Sequence, residues 1–89
     1  MLTRYDITFI GRVQGVFFRA TACDIARGCA VSGWVRNEPD GSVRCVVEGE
    51  ADELDRFVAA VRRAKAPNIA AVHVTRADAT GEYDGFSVR

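Results

Sequence analysis

Apolar positions recur along this chain at two spacings. Tyr5, Ile7 and Phe9 alternate with Asp6 and Thr8, the period of a half-buried strand. After Gly11 and Gly15 the spacing changes. Phe18, Ala22, Ile25, Ala26 and Cys29 fall on one helical face, which predicts a helix over about 19–28, ending near Gly28. Residues 31–37 and 43–47 read as two further strands. Glu38-Pro39-Asp40-Gly41 lies between them, Pro presetting one dihedral and Gly permitting positive φ, so the pair is a hairpin. Leu54, Phe57, Val58 and Val61 stand at i, i+3, i+4 and i+7. Acids at 52 and 53 and bases at 62, 63 and 65 suit the dipole of a second helix, which Pro67 ends. Residues 69–75 predict a buried strand, 81–85 a loop, and Phe86-Ser87-Val88 a short closing edge strand.

The order β-α-β-β-α-β is the split-βαβ, ferredoxin-like arrangement. It predicts an α+β two-layer sandwich: one antiparallel sheet with both helices on one face. At 89 residues the expectation is a single domain over 1–89. Unrelated functions share this architecture, so it decides no chemistry.

Composition narrows the classes. Apolar residues are 48% and charged residues 27% of the chain, as in ordinary globular domains. No apolar run reaches the ~18–20 residues of a membrane span, and the N-terminus lacks the pattern of a secretory signal. Twelve Lys and Arg balance twelve Asp and Glu, which argues against binding nucleic acid or anionic membrane by bulk charge. Residues 1–45 nonetheless carry six Arg against four acids. Cys23, Cys29 and Cys45 have neither the number nor the spacing of a disulfide framework or a zinc site. They read as small hydrophobes of a reducing cytoplasm.

The candidate chemistry begins at Gly11-Arg12-Val13-Gln14-Gly15-Val16-Phe17-Phe18-Arg19. A strand ends, a loop with two glycines follows, and a helix starts. Backbone N–H groups of such a loop converge on an anion, aided by the helix N-terminus. Arg19 stands where its planar fork can clamp two phosphate oxygens. No GxxxxGK[ST] pattern is present. Taken alone, a structural turn followed by a surface arginine is the better explanation of this segment. Asn37, at the end of the second strand, carries an amide that both donates and accepts, which suits it to holding a water. Taken alone, it also reads as the first residue of a turn.

Together the two segments say more. GRVQGVFFR followed by SGWVRNEPDGSV resembles the acylphosphatase family, through Gly11, Val13, Gln14, Gly15, Val16, Phe18 and Arg19 and then Gly33, Trp34, Val35, Asn37, Asp40 and Gly41. The interval from Arg19 to Asn37 agrees as well, and the likeness weakens after Pro67. The resemblance implies a hydrolase that cleaves the carboxyl–phosphate anhydride of acyl phosphates to a carboxylate and inorganic phosphate, without metal or other cofactor. By the same resemblance, Arg19 binds the phosphate and Asn37 positions the attacking water. Backbone amides of Gly15, Val16, Phe17 and Phe18 form the cradle. Two stretches depart from the family, Gly28-Cys29-Ala30-Val31 and Ala66-Pro67-Asn68, both away from these motifs. Such an enzyme is expected to be a cytoplasmic monomer whose partners are its small-molecule substrate and phosphate-like anions, not nucleic acid or membrane.

Phosphoryl transfer to water with a carboxylate leaving group needs charge neutralisation and in-line placement more than a strong acid. The scarcity of histidine is consistent with that. His73, the single one, lies mid-strand and reads as structural or surface. Glu38 and Asp40 read as turn residues, Trp34 as core or helix packing, and Arg62-Arg63-Ala64-Lys65 as a solvated helix end. Arg12 and Arg36 either raise the local potential or are solvated strand ends. Three other classes compete. An RNA-binding module of this topology needs aromatics on its central strands, and 42–48 has none. A silent phosphate-sensing domain would have no need of Asn37. A domain of a larger carbamoyl-transfer protein is disfavoured by the absence of zinc motifs before the chain ends at Arg89.

Overall fold

A computed structural model describes residues 2–89. Strand β1 (Leu2–Gly11) is followed by α1 (Phe18–Arg27), β2 (Val31–Asn37), β3 (Val43–Glu50), α2 (Ala51–Ala64), a single 3₁₀ turn (Ala66–Asn68), β4 (Ile69–Asp78) and β5 (Phe86–Val88). The sheet order is β4-β1-β3-β2-β5. Strands β4, β1, β3 and β2 pair antiparallel, with Ile7 opposite both Cys45 and Val74.

Alternation along the strands sorts side chains between two faces. Tyr5, Ile7 and Phe9 of β1, Val35 of β2, and Val43, Cys45 and Val47 of β3 are buried in one cluster. Phe18, Ala22 and Ala26 of α1 and Leu54, Phe57 and Val61 of α2 join them. The helical residues recur at intervals of three or four, so each helix lays one stripe on the sheet. The Phe9 and Phe18 rings meet at 4.9 Å between centroids, which fixes the start of α1 over the end of β1.

Three features differ from the sequence expectation. Strands β1, β3 and β4 each run longer than expected, because pairing to a neighbour continues where the apolar pattern has stopped, and β4 is not the buried strand its composition predicts but an edge strand with no buried residue. The sheet gains one parallel pair, β5 beside β2, with Gly33 opposite Phe86. The segment 79–85 brings the chain from the β4 edge to the β2 edge and is pinned to Glu48. That buried carboxylate accepts the Thr80 N–H, the Thr80 hydroxyl and the Gly81 N–H, each at 2.9 Å. Finally, Trp34 packs on the sheet face away from the helices. It is 5% exposed beneath the guanidiniums of Arg36, Arg44 and Arg89, 4.8, 5.6 and 4.9 Å from its ring. Its neighbour Val35 takes the core position, and alternation sends Trp34 the other way.

Candidate active site

The segment between β1 and α1 is held at several points. The β1–β4 register shifts at Ile10–Gly11, and the Arg12 N–H donates to the Asn68 carbonyl at 2.8 Å. Val13 is fully buried and plugs the loop into the core. Gln14 Nε2 donates to the carbonyls of Glu38 and Ser42 at 2.8 and 2.9 Å. One side chain therefore ties the loop to the β2–β3 turn. Gly15 has φ +75°, in the left-handed region where glycine is at ease. From the other side, the Lys65 ammonium donates to the Val16 carbonyl at 2.6 Å. Lys65 is thus half-buried against the loop rather than part of a solvated helix end; Arg62, Arg63 and Ala64 are exposed as expected.

Phe17 is the one non-glycine residue with positive φ among those described, at φ 60° and ψ 26°, and its side chain is 83% exposed. For an L-residue this conformation costs roughly 1–2 kcal/mol. The loop sustains it because both of its sides are anchored.

α1 begins directly after Phe17. Its first helical bond runs from the Thr21 N–H to the Phe17 carbonyl at 3.0 Å. The N–H groups of Phe18, Arg19 and Ala20 therefore precede the helical ladder. No side chain caps this end, and the first turn contains no acid. The positive end of the helix is left uncompensated, which is the electrostatic condition for binding an anion.

A cleft of about 390 Å³ opens at this end, lined by Gly15, Phe17, Phe18, Arg19, Asn37 and Val88 among others. Arg19 and Asn37 thus reach one concavity although 18 positions apart. Arg19 makes no hydrogen bond or ion pair among the described residues. By contrast, Arg4, Arg27, Arg36, Arg44 and Arg56 all engage carboxylates at 3.7 Å or less. Asn37 Oδ1 is buried and accepts no hydrogen bond from the described residues, an arrangement found at sites built for a partner. The Val16 side chain packs against the core, and Val16 is not among the residues lining the cleft. Phe18 also points inward.

The remaining polar groups are braces. Gly41 N–H donates to the Glu38 carbonyl and Glu38 N–H to the Ser42 carbonyl, at 3.1 and 2.9 Å. Asp40 accepts the Ser42 hydroxyl at 2.6 Å and the Ser42 N–H at 2.9 Å, which lowers its pKa. Arg36 pairs with Glu38 at 2.9 Å. The turn that follows Asn37 is therefore rigid. His73 is exposed on β4 and does not line the cleft. The Cys45 thiol is fully buried, and burial pushes its pKa far up, so it is no nucleophile. Among the described residues no three metal-ligating side chains converge. Gln14 belonged to the quoted motif without an assigned role. Lys65 and Val88 had no local signal that tied them to the loop.

A family model described as Acylphosphatase matches residues 5–88. The chain belongs to the acylphosphatase family. An acylphosphatase of Methylococcus capsulatus is 39% identical over 88 residues, covering 98% of this chain and 96% of that protein. One from Aeropyrum pernix is 42% identical over 90 residues, covering 99% of this chain and 89% of that protein. The crystal structure of the Bacillus subtilis acylphosphatase superposes with a TM-score of 0.88 at 33% identity, covering 100% of this chain and 99% of that one. As in the acylphosphatase family generally, the helices of this chain lie on one face of a ferredoxin-like sheet.

Proposed function

We propose that the loop from Gly15 to Arg19 holds the phosphate, and that Asn37 positions water, in the hydrolysis of acyl phosphates, the activity of the family to which this chain belongs. One observation carries the reading: a guanidinium and a buried carboxamide oxygen, neither with a partner among the described residues, share a cleft at the uncapped start of a helix. An anion at the loop would satisfy the first and a water the second.

In this scheme Arg19 and the amides of Gly15, Val16, Phe17 and Phe18 neutralise the phosphoryl oxygens. Asn37 Oδ1 accepts a hydrogen bond from the water and aims its lone pair at phosphorus. The new P–O bond forms as the bond from phosphorus to the acyl oxygen breaks, and the carboxylate leaves with that electron pair. The water proton passes to a phosphoryl oxygen, so no side-chain base is required. A carboxylate is a good leaving group, so no general acid is required either. Products are a carboxylate and inorganic phosphate, and the latter is expected to compete with substrate.

The reading makes this a monomeric cytoplasmic enzyme. Cys23, Cys29 and Cys45 as free thiols support a reducing compartment. No described helix is long and apolar enough to cross a membrane. The sheet face away from the helices, where an RNA-binding module of this topology carries its stacking aromatics, has Arg4, Asp6, Arg44 and Glu48 in ion pairs on its central strands. That arrangement offers no stacking platform there.

The test is hydrolysis of benzoyl phosphate with EDTA present, beside an unactivated phosphate monoester. Cleavage of the first alone is expected. Arg19→Lys should lose most turnover and phosphate inhibition, since an ammonium cannot fork. Retention of both at wild-type levels overturns the assignment of Arg19.

A further inference from the structure

Phe17 combines two unfavourable features. It sits in the left-handed region, where glycine would be unstrained, and it leaves 83% of an aromatic side chain exposed. Neither feature serves the core, and the phosphate cradle needs only its backbone. Phe17 nevertheless lines the cleft, and so does Val88 of β5, itself 46% exposed. Of the other apolar lining residues, Val13 and Phe18 are buried and Ala20 is exposed but offers only a methyl group. Exposed apolar surface is thus placed at the rim, beside the residues assigned to phosphate and water. Among the described residues Arg19 is the one charged residue lining the cleft.

We infer that Phe17, with Val88, is a specificity determinant that receives the acyl group and selects apolar, above all aromatic, acyl phosphates over small polar or charged ones. The inference rests on the phosphate and water assignments proposed above. With phosphate at Arg19 and water at Asn37, in-line geometry directs the acyl oxygen to the side of phosphorus opposite the water. Phe17 and Val88 supply the large, exposed apolar lining of the cleft that contains Arg19 and Asn37. An aryl group stacks on such a ring or meets it edge-on, whereas an acetyl or carbamoyl group offers little surface to either wall. The position of β5 is what adds Val88 to this rim.

The experiment compares kcat/KM for benzoyl phosphate and acetyl phosphate in the wild type, Phe17→Tyr, Phe17→Asn and Val88→Ser. Asn tolerates the left-handed region, so Phe17→Asn removes the ring with the least disturbance of the loop. The change in the benzoyl-to-acetyl ratio between variants cancels the intrinsic reactivity of the two substrates. Phe17→Asn should lower that ratio about three- to tenfold, the range of an aromatic contact. Val88→Ser should lower it about twofold, and Phe17→Tyr should keep it. Competition by benzoate against acetate provides a second readout and should weaken in parallel. A ratio unmoved by Phe17→Asn and Val88→Ser, with both substrates still cleaved, overturns this inference alone. Failure of the wild type to cleave either substrate overturns the underlying reading instead.

Discussion

Replacing Asn37 by Leu separates the cost of the site from its use. Asn37 Oδ1 is buried without a hydrogen-bond partner among the described residues. An acceptor in that state costs about 1–3 kcal/mol. Asn37 is half-buried overall and its cleft is open to water, so the low end applies, about 1 kcal/mol. Leu has nearly the same shape and no acceptor, and Val13 and Phe18 line the same cleft. Asn37→Leu should therefore stabilise the fold by about 1 kcal/mol. For a domain of this size that is a rise of roughly 4–8 °C in Tm. The same change removes the group assigned to the water, and turnover on benzoyl phosphate should fall by about 10²–10³, as when one transition-state hydrogen bond is lost. Inhibition by inorganic phosphate should persist, because Arg19 and the loop amides are untouched. Thermal unfolding followed by circular dichroism, with steady-state kinetics, measures both quantities on one sample. A Tm several degrees lower than wild type would show that the carboxamide holds the hairpin together. Undiminished turnover would remove Asn37 from the mechanism.

Further outcomes follow from other contacts. Gln14→Met loses two hydrogen bonds to the β2–β3 turn while each acceptor keeps a backbone partner; unfolding in urea should show a loss of about 1–2 kcal/mol. Because that clamp sets the distance from loop to Asn37, kcat should fall about tenfold or more, and an unchanged kcat would show that the clamp is structural only. Gly33 has φ +146°, and a Cβ there would lie 1.9 Å from the Val46 carbonyl oxygen, so Gly33→Ala should cost more than about 3 kcal/mol and expose the β2–β3 pairing to proteolysis. For Glu48, burial pushes the carboxyl pKa up, but the Thr80 and Gly81 N–H groups, the Thr80 hydroxyl and Arg4 outweigh it, leaving the pKa below its ordinary 4.5. A depressed folded pKa means stability that is present above the unfolded value and is lost as pH falls through the folded one. Glu48→Gln should cost about 1.5–3 kcal/mol at neutral pH, the scale of hydrogen bonds to a charged group, and should lose less stability than wild type as pH falls below the ordinary carboxylate range; equal acid sensitivity of the two would refute this account.

Much of the architecture could be read locally. The alternation of Tyr5, Ile7 and Phe9 and the spacing of Leu54, Phe57 and Val61 each define one buried face without reference to the rest of the chain. Pro39-Asp40-Gly41 marks its turn by dihedral preference alone. The placing of Arg19 after a two-glycine loop and of Asn37 at a strand end was likewise visible, since each is a statement about immediate neighbours.

What sequence could not decide are contacts between segments far apart in the chain. Lys65 reads as one more base at a helix end, and only the packing of α2 beside the loop brings its ammonium to Val16. Trp34 reads as core; the choice of Val35 for that role turns it to the opposite face, under three arginines. The parallel addition of β5, which supplies Val88 to the cleft, depends on the path of 79–85 and its hydrogen bonds to Glu48. Local pattern determined which residues form elements and which carry chemistry. The concavity shared by Arg19 and Asn37, and the lack of a competing partner for either among the described residues, exist only once β1, β2 and α1 are packed, because cleft shape and hydrogen-bond satisfaction are properties of the assembled neighbourhood.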